Sequence, residues 1–270
     1  MSIHPAAFIS ETAIIGKNVT VGPGAVIEAG CEVGDGCEIR AHAVITGGAQ
    51  LGERNQVGYG AIIGAEPQDL AFRPEVKSRV VIGTDNVIRE YATLHRGTKE
   101  GTETVIGHHN YLMAGCHVAH NVQIGNHVIL VNNVLLAGYV EVQDRAFLGG
   151  AAVVHQFVRI GAYSIIRGQT RVGKDLPPYF MAVDTNEVAG LNRVALRRNG
   201  FSPEVRRQLQ SAFNLLYFSG RNISQAVEEI SQSMEGAEIR NLVEFIRGSR
   251  RGICLARSDG LAENETDEAV

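Results

Sequence analysis

The strongest constraint on this chain is a six-residue repeat. Between Ile106 and Val172 a large aliphatic side chain falls at every sixth position: Ile106, Leu112, Val118, Ile124, Leu130, Leu136, Val142, Leu148, Val154, Ile160, Ile166 and Val172. An amphipathic helix has a period of 3.6 and a half-buried strand a period of two, so neither explains the pattern. A solenoid of very short strands joined by turns does. Glycine often follows the anchor (Gly107, Gly125, Gly149, Gly161, Gly173), where it permits a tight corner. The position four past each anchor is mostly small or moderate, as at Asn110, Cys116, Val122, Ala146, Ala152 and Ser164. Large and small side chains therefore take turns pointing inward. If three hexapeptides close one triangular coil, residues 18 apart stack into columns such as Val118/Leu136/Val154/Val172. Each coil then buries the apolar edge of the next, at about 25 cal/mol per Å² of apolar area removed from water.

The same register opens the chain, from Ile9 and Ile15 through Val57 and Ile63. It breaks over residues 65–80, which carry two prolines and several charges, resumes at Ile82, Ile88 and Leu94, and breaks again over the polar stretch 96–104. Both breaks predict loops leaving a rigid scaffold, where binding groups tend to sit. The repeat ends at Asp175, and Pro177-Pro178 punctuates it. The expected organisation is a solenoid over 1–176, a helical domain over 177–250 and a disordered acidic tail over 251–270. Helical spacing is read over 186–198, a capped helix begins at Ser202-Pro203-Glu204, and further helices are expected over 222–233 and 237–247.

Composition narrows the class. There is no tryptophan and 31 of 270 residues are glycine, so the core is aliphatic. A net charge of -4 argues against a general nucleic-acid binder. No apolar run spans a bilayer, and no secretory signal is apparent at the start. Cys31, Cys37 and Cys116 occupy the inward small position, so the cysteines read as core residues of a protein in a reducing cytoplasm. A solenoid also leaves long faces uncovered, which predicts side-by-side oligomers with grooves between subunits.

Six of the nine histidines lie in or beside the second block of repeats. His117 and His120 flank the inward-facing Val118, off the anchor positions. Eighteen residues after His120 stands Gly138, and 18 further stands Gln156. A histidine with an open glycine one coil above it, ~4.8 Å away at strand spacing, and an amide two coils above it suits acyl transfer. The three supply a general base, a backbone oxyanion donor and a ligand-orienting amide.

With these residues in hand, the chain resembles the acyl-[acyl-carrier-protein]:UDP-N-acetylglucosamine 3-O-acyltransferases of lipid A biosynthesis. The resemblance runs along nearly the whole chain. It includes PQDL at 67–70, TLHRGT at 93–98, AHN at 119–121, LAG at 136–138, VHQF at 154–157, LPPY at 176–179 and RRNGF at 197–201. It implies an all-β left-handed parallel β-helix with a C-terminal α-helical domain, an exception to the usual right-handed crossover, assembled as a homotrimer with active sites between subunits. His120 is implied as the general base and Gly138 as the oxyanion donor. Gln68, Asp69 and His95 are implied at the sugar, His117 lining the cleft, His155 and Gln156 near the diphosphate and thioester, and Asn192 and Arg198 at the uridine end. Gly168 matches the position that limits acyl length, and a glycine there leaves room for a long chain. No metal or other cofactor is implied, the donor being a 3-hydroxyacyl chain on the phosphopantetheine of acyl carrier protein. Arg193, Arg197, Arg206 and Arg207 form a basic surface suited to that acidic carrier.

Departures from the pattern keep alternatives open. Asn121 stands where the enteric form has aspartate, Tyr139 replaces a histidine, Ala71 a sugar-site lysine and Val194 a glutamate. Related enzymes that N-acylate the 3-amino-3-deoxy sugar also differ at sugar-site positions. An acetyl-coenzyme A transferase, a zinc-dependent hydratase using His95, His117 and His120 between subunits, and a purely structural solenoid are further readings.

Overall fold

The computed structural model describes residues 2–257. Nearly every solenoid strand is two residues long, and each pairs in parallel with the strand one coil on. The predicted columns are present as strand registers: Val118 pairs with Leu136, Leu136 with Val154, and Val154 with Val172. Three parallel sheets result, forming the walls of a left-handed parallel β-helix. Anchors and the small residues two positions before them fill its interior; Leu112, Cys116, Val118 and Val122 are fully buried. Burying each large anchor contributes roughly 1.5–3 kcal/mol.

Most corners of the six-residue coil use a left-handed backbone conformation. Glycine supplies it at Gly24, Gly30 and Gly36, whereas Asn121, Tyr139 and Phe157 adopt it at φ of 61°, 60° and 67°. Bulky residues resist this conformation, and here the rings of Tyr139 and Phe157 stack across coils at 5.0 Å.

The two loops are shorter than their sequence breaks, because strands Ile62–Ala65, Arg79–Ile82 and Glu103–Ile106 run into their stems. They leave the scaffold over 66–78 and 96–102. Around them the coils are stitched internally by buried asparagines. Asn55 Oδ1 accepts from the backbone N–H of Asn86 at 2.9 Å, Asn86 Oδ1 from that of Asn110 at 2.9 Å, and Asn110 Oδ1 from that of Val128 at 2.7 Å.

The region after the solenoid differs from expectation at both ends. Residues 187–191 form a strand, antiparallel to Phe180–Val183, and only Arg193–Arg198 is helical (α1). The helix-like spacing of Val188 and Leu191 has a physical origin: a register shift beside Met181 and Ala182 lets residues three apart both point inward. Helices α2 (Pro203–Phe218), α3 (Ile223–Ser233) and α4 (Ala237–Arg247) follow. Ser202 caps α2 through Val205 N–H, with Pro203 in its first turn, and Asn222 and Gln225 cap α3 reciprocally. The expected tail is also ordered at its start. Ile253 and Cys254 are buried, Cys254 N–H donates to Asp175 O at 2.9 Å, and Leu255–Ala256 pairs with Glu187–Val188. The apolar run Ile253-Cys254-Leu255 explains this, since it has a core to enter. Residues 258–270 of the tail lie outside the described residues.

Candidate active site at a solenoid corner

His120 sits at the corner between strand His117–Val118 and strand Gln123–Ile124. One coil on, Gly138 occupies the same corner. A Cβ at Gly138 would fall 2.6 Å from His120 Nε2, so the imidazole lies directly over the one residue without a side chain. The Gly138 carbonyl accepts from Phe157 N–H at 3.1 Å, while its own N–H meets no acceptor among the described residues. A backbone donor is thus left uncommitted beside a histidine ring. The ring of Tyr139 stands edge-on to that of His120, with centroids 5.3 Å apart.

The second loop closes on the same corner. Asn121 is buried, and its Oδ1 lies 3.1 Å from His120 Nδ1, 3.0 Å from Thr98 N and 3.0 Å from Thr98 Oγ1. Thr98 Oγ1 also reaches Tyr139 OH at 3.1 Å. From the other stem of the loop, Thr104 Oγ1 accepts the Asn121 N–H at 2.7 Å.

Two further histidines pack behind His120. The His95 and His117 rings meet edge-to-face at 4.8 Å, and His117 Nδ1 is 2.8 Å from Thr93 Oγ1. Burial, with smaller contributions from His117 and His120, pushes the His95 pKa down to about 4, and its Nδ1 is buried without a partner among the described residues. Burial, then His120, also lowers that of His117. Both rings are therefore held neutral, which keeps positive charge away from the corner.

On the other side of the corner a groove of roughly 1000 Å³ runs beside Asn121, Tyr139 and Phe157 towards Arg159, Arg250 and Arg251. Arg251 approaches His155 Nδ1 at 3.2 Å. His155 is exposed and Gln156 half-buried, one coil above Gly138. On the outer face above His117, Leu135 and Val153 are 42% and 40% exposed and Arg171 follows them in the column, bordered by the corner that precedes these strands. There Gly150 and Gly168 stack, so two successive coils present no side chain.

The remaining sequence-derived residues lie elsewhere on the chain. Gln68 and Asp69 are exposed on the first loop, where Asp69 Oδ1 accepts from Ala71 N–H at 2.9 Å. Asn192 is buried and engaged: its Oδ1 caps α1 through Ala195 N–H at 3.2 Å, and its Nδ2 donates to Tyr163 O at 2.9 Å. Arg198 is exposed in the last turn of α1. Within a single chain, then, the corner brings together His95, His117, His120 and Gly138, with Gln156 in the next coil. Thr98 and the basic end of the groove were not singled out from sequence, although Thr98 stands inside TLHRGT beside His95. The four cysteines are all unpaired and buried, and burial pushes the Cys116 thiol up to about 11 and that of Cys254 to about 12.

Comparison with known proteins identifies the family. The family model described as UDP N-acetylglucosamine O-acyltransferase, domain 2, matches residues 175–254, and the bacterial transferase hexapeptide model matches 12–47 and 103–138. A protein of Burkholderia lata named acyl-[acyl-carrier-protein]--UDP-N-acetylglucosamine O-acyltransferase is 41% identical over 210 residues, 75% of this chain and 80% of the relative. The solved UDP-N-acetylglucosamine acyltransferase of Bacteroides fragilis superposes with a TM-score of 0.90 at 40% identity, covering 93% of this chain and 98% of that one. That of Francisella novicida gives a TM-score of 0.91 at 35% identity, covering 98% and 100%. Likeness of this extent, across both the solenoid and the helical end, shows that the chain is an acyltransferase and belongs to the UDP-N-acetylglucosamine O-acyltransferase family.

Proposed function

We propose that this protein transfers a 3-hydroxyacyl chain from acyl carrier protein to the 3-hydroxyl of UDP-N-acetylglucosamine, the first step of lipid A biosynthesis, as a cytoplasmic homotrimer. The observation that carries the mechanism is the His120 ring laid over Gly138, whose N–H is uncommitted. His120 removes the proton of the sugar 3-hydroxyl as that oxygen attacks the thioester carbon. The Gly138 N–H stabilises the oxyanion of the tetrahedral intermediate. Collapse breaks the carbon–sulfur bond, and the imidazolium returns its proton to the departing phosphopantetheine sulfur. No metal takes part, and the phosphopantetheine arrives on the donor.

Binding follows from the surroundings. Gln68, Asp69 and His95 address the sugar, and His117 lines the cleft beside it. His155 and Gln156 hold the diphosphate and thioester arm. Asn192 sets the start of α1, and Arg198 at its other end supplies a planar donor fork for a phosphate or uracil. In the trimer these groups come from neighbouring subunits, which accounts for their separation in one chain. The acyl tail runs over Leu135 and Val153 and past Gly168. The basic helical surface of Arg193, Arg197, Arg206 and Arg207 receives the acidic carrier.

Mass spectrometry of products from UDP-N-acetylglucosamine and a ladder of 3-hydroxyacyl carrier proteins tests this reading, with His120→Ala as control. A mono-acylated nucleotide sugar absent from the control supports it. Product from the 3-amino-3-deoxy sugar alone makes the enzyme an N-acyltransferase and assigns the acceptor change to Ala71, Tyr139 and Val194.

A further inference from the structure

We propose that the loop over 96–102 is the positioning element for the base: through Thr98 it fixes the Asn121 amide, so that His120 carries its proton on Nδ1 and presents a free Nε2 to the substrate. The proposal rests on the reading of His120 as general base and adds what selects its tautomer.

The orientation of an asparagine amide and the tautomer of a histidine are set by their partners. Here one partner has no choice. The Thr98 backbone N–H can only donate, so the Asn121 atom 3.0 Å from it is the carbonyl oxygen and not the amide nitrogen. The Thr98 hydroxyl, 3.0 Å from the same oxygen and 3.1 Å from Tyr139 OH, donates to Asn121 and accepts from the tyrosine. The same Oδ1 lies 3.1 Å from His120 Nδ1. An amide oxygen carries no hydrogen, so the contact is a hydrogen bond only if Nδ1 is the donor. In a neutral imidazole Nε2 then holds the lone pair, and Nε2 is the nitrogen that overlies Gly138.

The loop grips Asn121 at both of its stems, because Thr104 takes the Asn121 N–H. Asn121 is buried and adopts φ of 61°, so its side chain is delivered to His120 from a fixed corner. An amide orients the imidazole without offsetting the positive charge it gains. Thr98 and Asn121 are therefore positioning residues whose effect lies in geometry and tautomer.

Two variants and one spectrum test this. Asn121→Gly removes the side chain while tolerating the left-handed backbone, and Asn121→Asp restores an acceptor at the same place. Asn121→Gly is expected to lower kcat by about 10- to 100-fold, part of the 10²–10⁴ of general-base catalysis, with little change in KM. Asn121→Asp is expected to recover much of kcat and to move the acidic limb of the pH–rate profile upward, because a carboxylate stabilises the imidazolium. Nitrogen-15 spectra of histidine-labelled protein, with His120→Ala to assign the resonances, should show a protonated Nδ1 and a bare Nε2 at His120 near neutral pH. A protonated Nε2 in the unaltered protein overturns the proposal, as does an Asn121→Asp enzyme no better than Asn121→Gly. The spectrum is independent of turnover. If His120→Ala retains full activity, it is the base assignment that fails, and the tautomer is judged on the spectrum alone.

Discussion

At the scale of single residues, the corner holds its histidines in a graded environment. His95 is 5% exposed and its pKa is depressed to about 4, whereas an unfolded histidine titrates near 6.5. Between those values the unfolded chain binds the proton and the folded chain does not, so stability falls as pH drops from about 6.5 towards 4. His117, shifted in the same direction, adds to the slope. Urea midpoints should therefore decrease between pH 7 and pH 5, and less steeply in His95→Gln. A flat response would contradict the burial argument. Gly138 is constrained from the opposite side, because any Cβ collides with the His120 ring. Gly138→Ala should displace that ring while keeping the backbone N–H, and reduce kcat by about 10²-fold, within the range of general-base catalysis, while the urea midpoint moves little. Among these residues His120, His117 and Gly138 were legible in the sequence, since the 18-residue stacking rule alone places the glycine above the histidine. The partnership of Thr98 with Asn121 was not. It depends on where the loop folds back, and no repeat governs a loop.

At the scale of elements, regular coils need only side-chain columns, but coils that extrude loops need something further. The asparagines at 55, 86 and 110 occupy the inward small position and hydrogen-bond from coil to coil where the two loops leave. Asn86 lies in the middle: it donates to Asn55 Oδ1 at 2.9 Å and to Gly107 O at 3.0 Å, and accepts from Asn110 N–H. Asn86→Ala should cost about 2–4 kcal/mol, since buried partners left unsatisfied cost about 1–3 kcal/mol each. Denaturant unfolding would measure it, and a loss under 0.5 kcal/mol, the range of ordinary surface substitutions, would show the ladder to be incidental. The outer corner makes the complementary case. Gly150 and Gly168 leave two coils bare, and a Cβ at Gly168 would sit 3.2 Å from Gly150 O, close but tolerable. Gly168→Met should therefore fold and shorten the preferred acyl chain, read by competition among carrier proteins bearing chains of different length. An unchanged preference would remove Gly168 from the acyl path.

At the scale of the whole molecule, the helical end is held to the solenoid by a returning strand. Leu255–Ala256 pairs with Glu187–Val188, Tyr217 OH donates to Cys254 O at 2.8 Å, and Arg159 donates to Phe245 O at 3.1 Å with its guanidinium 4.2 Å from that ring. Ending the chain after Arg250 should release the pairing strand and leave the buried Tyr217 hydroxyl without its acceptor. Faster amide exchange over 187–191 and a lower melting temperature are the expected signs, with exchange in the coils around Leu130 unchanged. Equal protection with and without the strand would show that the helices dock unaided.

A strict period of six dictates the solenoid, its coil length, the columns of its core and the corner where a histidine meets a glycine, because such a period has few physical solutions. Helices α2, α3 and α4 were likewise legible, since their apolar spacings are local and α2 and α3 also carry side-chain caps. Tertiary structure alone decided the strand at 187–191, the return of 251–257 into the core and the closing of Thr98 onto Asn121. Each of these depends on a partner distant in sequence: a bulged neighbour for the strand, an unfilled apolar edge for the tail and a buried amide for the loop. Local pattern carries no information about such partners until the chain has folded around them.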